Sequence, residues 1–209
     1  RDLVRSRGLG DVYKRQCNGC SRCCHGMGNS IILDPYDVYR MTTGMGKSMQ
    51  ELLAASVELN VVDGVILPNL KMQGTEEACA YLDEEGRCSI HPYRPGICRL
   101  FPLGRYYENG GFSYFLQTGE CAKENRSKIK VSKWIDTPDL TRNQQFTLQW
   151  HDLLHAMEER LTGEDEGKQR EENLLLLRLF YLLPYEGTID FYTQFTERME
   201  HWNGQNGQI

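Results

Sequence analysis

Apolar residues recur along this chain at two spacings, and the spacings divide it. Up to about residue 120 they come in short runs broken by Gly, Pro, Asp and Asn, whereas beyond about residue 138 they return every three or four positions. Alternation marks half-buried strands, and recurrence near 3.6 marks amphipathic helices. Within the first part, Asp34-Pro35 opens a helix, with Asp as the N-terminal cap and Pro in the first turn; the pattern predicts that it runs to about Thr43 before Gly44 stops it. Ser48-x-x-Glu51 is a capping box that opens a second helix, through about Ser56. Residues 57–62 and 65–67 around Asp63-Gly64 read as a hairpin, residues 79–82 and 87–90 around 83–86 as a second, and residues 103–108 and 112–118 around Asn109-Gly110-Gly111 as a third. Between the second and third, Pro92, Pro95 and Pro102 stiffen the backbone.

The remainder predicts helices over about 138–161, 169–183 and 189–202. Leu148, Leu154 and Leu161 lie near one face of the first, Leu175, Leu179 and Leu182 near one face of the second, and Phe191, Tyr192 and Phe195 on the third. Stripes of this kind must be buried against something, so the helices are expected to pack on the preceding domain. The expected architecture is α+β: a small hairpin-rich domain with packed helices, and a helical C-terminal part. Its divisions are residues 1–16, 17–133 and 134–209.

Composition narrows the class. Of the 209 residues, 40% are hydrophobic and 25% charged, which suits a globular chain. The apolar runs 174–177 and 179–183 are separated by Arg178 and fall short of the roughly 20 residues that span a bilayer, so no membrane partner is expected. Residues 1–16 hold five basic and two acidic side chains with no sustained period; they resemble translated adaptor sequence and are set aside as a non-native leader. The rest carries 19 basic against 27 acidic residues, an excess that argues against nucleic acid as a partner. Abundant cysteine in a metal-type pattern points to a reducing, cytoplasmic setting.

Chemistry enters with those cysteines. Cys17, Cys20, Cys23 and Cys24 crowd one short stretch, and Cys79, Cys88, Cys98 and Cys121 follow. Thiolates separated by two residues on a turn can point at one place, which is metal-ligand spacing. A disulfide scaffold is the weaker reading, because vicinal Cys23-Cys24 and repeated two-residue gaps crowd the thiols too closely for independent bridges. The second hairpin brings Cys79 near Cys88 and the third ends close to Cys121, so all are expected to converge. Eight thiolates fill two four-cysteine sites, or one such site plus a redox pair, and Cys24 either serves a second metal, bridges, or stays a free thiol. His91, three residues after Cys88, is either a nitrogen ligand or a backbone-bonded loop residue. Arg94 and Arg99 are placed to offset thiolate charge and are candidate cofactor contacts. The strip Lys123, Arg126, Lys128, Lys130 and Lys133 reads as a solvated strand edge. Met45-Gly46-Lys47-Ser48 is no phosphate loop, since Met41 stands where glycine is required and a helix precedes it; His25-Gly26-Met27-Gly28 likewise lacks a dinucleotide fingerprint.

The run Cys17-x2-Cys20-x2-Cys23-Cys24-x-Gly26, followed by Cys79-x-x-Leu82, Cys88-x-Ile90 and Arg94-Pro95-x-x-Cys98-Arg99-x-Phe101-Pro102, resembles the YkgJ-type cysteine-cluster family of zinc- or iron-chelating domains over about residues 17–121. The resemblance implies that Cys17, Cys20, Cys23, Cys24, Cys79, Cys88 and Cys98 form a chelating site, with Cys121 as a further candidate. Members look like iron-sulfur proteins, and flagellin lysine N-methylases are similar in carrying a related cluster. Three functions follow: an iron-sulfur cluster serving electron transfer or an oxidoreductase step with a protein redox partner or protein substrate; a non-redox zinc adaptor module; or a protein lysine N-methylase. Against the last, no glycine-rich loop suits a methyl-donor nucleotide. The first is preferred, because cysteines alone can hold such a cluster and no acid–base pair or nucleotide loop supports other chemistry.

Overall fold

A computed structural model of the chain describes residues 4–6, 11–13, 21–117, 120 and 128–206. Helix α1 (Pro35–Met45) starts on a reciprocal cap in which Asp34 Oδ1 accepts from the Asp37 amide at 2.8 Å and Asp37 Oδ2 accepts from the Asp34 amide at 3.2 Å. The expected stop at Gly44 does not occur. The helix passes through Gly44 and ends at Gly46, whose φ of 63° gives the left-handed closing residue and whose amide donates to Thr42 O. Gly44 is small for a different reason: a side chain there would overlap the Tyr93 ring. Helix α2 (Met49–Ala55) opens on the predicted box, with the Ser48 amide donating to Glu51 Oε2 at 2.7 Å and the Glu51 amide to Ser48 Oγ at 3.3 Å.

The strands are short. Inside the segment set aside as a leader, β1 (Val4–Ser6) and β2 (Asp11–Tyr13) pair with strands far along the chain. Next, β3 (Val57–Val62) and β4 (Val65–Leu70) form a hairpin whose turn residues Asp63 and Gly64 both have positive φ, the twist that matches paired strands. It runs three residues past the predicted end because the other edge of β4 is also used: Leu33 N donates to Pro68 O, and Leu70 N to Ile31 O.

The predicted hairpin over 79–90 is replaced by something looser. Strand β6 (Ala78–Cys79) pairs with β5 (Met72–Gln73), and only a single bridge, Leu82 to Cys88, spans the expected ladder. Asp83 is the cause, since its Oδ1 accepts from the Glu85 and Arg87 amides and closes a side-chain turn in place of a strand turn. A short helix, α3 (Gly96–Leu100), then carries Cys98. The third hairpin forms as predicted from β7 (Leu103–Glu108) and β8 (Gly111–Leu116), and β1 adds to the far side of β8 to give the order β1-β8-β7. Strand β9 (Lys128–Lys130) pairs with β2 and leads into α4 (Val131–Ile135), so the expected strand edge becomes a helix before Lys133; Lys123 and Arg126 lie outside the described residues.

Three helices complete the fold: α5 (Leu140–Leu161), α6 (Glu166–Leu177) and α7 (Phe191–Asn206). The buried face of α5 is Phe146, Trp150, Leu153, Met157 and Leu161, so Leu148 and Leu154 sit beside the predicted stripe and not at its centre. Helix α6 runs on into a π-helical turn, Arg178–Leu182. Carbonyls at that irregular end find a donor in Arg198 of α7, which reaches Leu179 O at 2.7 Å, Leu183 O at 3.0 Å and Pro184 O at 2.8 Å while its guanidinium lies over the Tyr185 ring.

One apolar core joins both parts of the chain. Leu33, Val38, Met41 and Leu70 pack with Phe146, Trp150, Phe180 and Phe195, and Tyr181 Oη donates to Leu33 O at 3.1 Å. A smaller core of Leu100, Leu103, Tyr114, Val131, Trp134 and Ile135 holds the β7-β8 hairpin to α3 and α4, and the Trp134 indole donates to Leu100 O. The architecture is α+β, with small antiparallel hairpins and a helical C-terminal region. No helix among the described residues is long and apolar enough to cross a membrane.

Because the Tyr93 ring occupies the space a side chain at Gly44 would need, Gly44→Ala should destabilise the protein by about 1–3 kcal/mol, the usual effect of overpacking. Chemical denaturation of the variant checks this; an unchanged midpoint would show that the ring moves aside freely.

Candidate metal centre

Five of the eight cysteines lie among the described residues, and local backbone chemistry carries them into one part of the fold. Ser21 adopts a left-handed conformation, φ 53°, and starts a 3₁₀ turn over Arg22–Cys24, with Cys24 N donating to Ser21 O at 2.7 Å. The chain then lies along β6: His25 bridges Ala78, Gly26 N donates to Glu77 O at 3.0 Å, and His25 Nδ1 is 3.4 Å from Glu76 O. Cys23 and Cys24 are thereby set beside Cys79. The Asp83 turn returns the chain so that Cys88 faces Leu82, and Ser89 fastens the return by donating to Tyr81 O from both its amide and its hydroxyl. A 3₁₀ turn at His91–Tyr93 follows, then Pro95 and the helix carrying Cys98.

All five are half-buried, no disulfide joins one of them to another, and Cys79, Cys88 and Cys98 pack against the main core. Burial and neighbouring charge act on three of them. The Cys98 thiol is pushed well up, first by burial and then by the charges of Asp37, Cys79, Cys88 and Cys23. Cys24 is pushed up by its hydrogen bond with Cys23, by burial, and by Cys23, Cys79 and Cys98. Burial raises Cys79 too, with the Tyr81 amide opposing and Cys23 adding. Thiolates packed this way repel one another, so without a cation the protons stay on. A soft cation relieves both the repulsion and the burial penalty.

The gathering is incomplete as described. Among the described residues no group of three or more His, Cys, Asp or Glu side chains stands ready to hold a metal ion. Cys17, Cys20 and Cys121 lie outside the described residues. Of the other expected contributors, Arg94 Nη1 sits 3.0 Å from His91 Nε2, and burial together with Arg94 pushes the imidazole down. Arg99 is only 4% exposed; its Nη2 stands 3.9 Å from Asp37 Oδ1 and its guanidinium lies over the Tyr36 ring. Its ion-pair partner is thus a carboxylate of α1.

That carboxylate escaped the sequence reading, which took Asp34 as a cap and passed over Asp37. The signal was present: an acid three residues after a capping Asp is the reciprocal member of a capping box. The pair is buried enough to perturb its titration. Desolvation pushes Asp34 up to about 7, with Asp37 adding to the shift while the Asp37 amide, Arg105 and Arg99 oppose it; burial also raises Asp37, against Arg99 and the amides of Gly96 and Asp34.

The family model named CxxCxxCC, described as "Putative zinc- or iron-chelating domain", matches residues 16–129, a span that holds all eight cysteines. No curated protein and no solved structure matches the chain.

A carboxyl whose folded-state pKa is raised favours folding while protonated, and that contribution fades as pH rises from the ordinary value of 3.8 through about 7. Asp34→Asn imitates the protonated form and keeps the capping oxygen. The variant should therefore gain on the wild type in melting temperature as pH is raised from about 4 to about 7. Thermal unfolding followed by circular dichroism at several pH values checks the slope; a constant difference would mean that Asp34 titrates as an ordinary carboxylate.

Proposed function

The chain belongs to the CxxCxxCC family, and on that premise we propose that it holds a cysteine-ligated iron-sulfur cluster serving electron transfer or a redox step. One observation carries the reading: the His25–Ala78 bridge sets Cys23 and Cys24 beside Cys79, and burial together with the charges of Cys23, Cys79 and Cys88 acts on the Cys98 thiol far along the chain. The donor chemistry fits, because thiolate is the preferred ligand of such clusters. When bound, a cluster of this kind supplies one-electron chemistry. The chain's own residues do the rest. Cys23 and Cys24 come on a turn pinned to β6, Cys79 and Cys88 sit on either side of the Asp83 turn, and Cys98 projects from a short helix whose flank is packed on the main core. Partial burial of the thiols limits water at the site, which raises the influence of each nearby charge.

A second reading keeps the same ligands and changes the metal. The family's description names zinc beside iron, and thiolates alone also make closed structural zinc sites that contribute folding energy without redox chemistry. Anaerobic purification with iron, sulfide and zinc analysis separates the two. The expected product is brown, contains iron and inorganic sulfide, and bleaches on reduction with dithionite. A colourless protein with stoichiometric zinc, unchanged by reconstitution with iron and sulfide, would replace the redox reading with the zinc one.

The thiols are not equivalent under this proposal. Cys98 stands on a helix anchored at its start, whereas Cys24 has an adjacent thiol hydrogen-bonded to it. Cys98→Ser should lose more metal per chain than Cys24→Ser, and with it more of the metal-linked stability, which is of order 10 kcal/mol for a fully ligated site. Equal metal content and equal melting curves in the two variants would remove the ranking.

A further inference from the structure

Helix α3 is five residues long, begins after Pro95, and has no side-chain cap of its own. A helix so short does not persist alone, and its first amides need acceptors. The acceptor comes from 59 residues away: the Gly96 amide donates to Asp37 Oδ1 at 2.6 Å. Asp37 is 2% exposed, and its other oxygen accepts from the Asp34 amide at 3.2 Å, so one carboxylate closes the first turns of both α1 and α3. Arg99, on the same short helix, completes the grip with Nη2 at 3.9 Å from Oδ1. There is little slack, since a Cβ added at Gly96 would stand 3.4 Å from that oxygen and 3.6 Å from the Arg99 guanidinium. Cys98 lies between these two attachment points.

We infer that Asp37 is the positioning residue of Cys98: by holding Gly96 and Arg99 it sets where the Cys98 sulfur stands relative to Cys23, Cys79 and Cys88. What the sulfur is positioned for rests on the metal reading above; that Asp37 positions it does not. Side chains that orient metal ligands through one intervening contact typically change affinity by about 10- to 100-fold when replaced. A merely structural aspartate would instead affect every thiol alike.

The test uses the full chain with two readouts. In metal-free protein, the rate of iodoacetamide labelling of each cysteine is followed by mass spectrometry as a function of pH, with Cys23 and Cys79 as internal references, so that the gain in thiolate that loss of the Asp37 charge brings by itself is separated from a change in access. In metal-loaded protein, retention of iron and zinc is titrated against a chelator. Asp37→Asn places an amide donor against one of two backbone donors and removes the charge facing Arg99. It should speed labelling of Cys98 about tenfold relative to the two references, and weaken metal retention by about 10- to 100-fold. Because an unpaired buried guanidinium can unfold the variant, the charge-balanced Asp37→Asn/Arg99→Met pair is measured beside it and should show the same Cys98-selective effect. Unchanged Cys98 labelling in both variants, or equal acceleration at all three cysteines in both, would overturn the inference. A wild-type chain that retains neither iron nor zinc would sink the metal reading, while the labelling ratio would still decide the role of Asp37.

Discussion

A carboxylate taken out of water must be met by donors or it will not stay charged and buried, and the arrangement around the cysteines depends on one such group. Asp37 meets the requirement with the Asp34 amide, the Gly96 amide and the Arg99 guanidinium, all within one region of the fold. The partners belong to two pieces of local structure: the Asp34 amide to the cap of α1, and the Gly96 amide and the Arg99 side chain to α3, on either side of Cys98. The burial of one side chain therefore ties a rigid helix to a segment that has too few residues to be rigid by itself. Arg99 serves the same end from the other side, stacked on Tyr36 of α1.

The rest of the molecule keeps that helix still. Tyr36 stands at an aromatic junction with Phe146, Phe191 and Tyr192, and Met41 and Val38 face the core shared with α5, α6 and α7. Tyr181 closes on Leu33 just before α1 begins, so the irregular end of α6 and the start of α1 share a hydrogen bond in an apolar setting. The long C-terminal helices thus act on the cysteines indirectly, through α1, and not by contact with the thiols alone. This is a division of labour that short, ligand-bearing loops require: their own contacts are too few to resist thermal motion, and stiffness must come from a neighbouring packed layer.

Much of the local structure was legible in the residues. The Asp34 cap, the capping box at Ser48 and Glu51, the turns at Asp63-Gly64 and Asn109-Gly110 and the three C-terminal helices follow from rules that act within about four residues of chain, and those rules hold wherever nothing distant competes. Where a distant group does compete, local reading fails in identifiable ways. Gly44 has the look of a helix stop but is a contact surface for Tyr93, and the loop at residues 83–86 has the look of a strand turn but is closed by the Asp83 carboxylate. On α5 the leucines suggested one face, yet the bulkier Phe146, Trp150 and Met157 take the core because they fill more of the space between helices.

By itself the sequence determined the capped helices, two of the three hairpins, the α+β class, the cysteine spacing and, through that spacing, membership of a zinc- or iron-chelating family. Ligand spacing is a short-range property of a turn, and capping is a short-range property of a helix, so both can be read from neighbours in the chain. Only the tertiary structure decided which distant groups meet: His25 with Ala78, the Asp37 carboxylate with Gly96, and Arg99 with that same carboxylate. The physical reason is that buried charge and backbone donors choose partners by proximity after packing. Packing depends on the whole core, and no window of the sequence contains it.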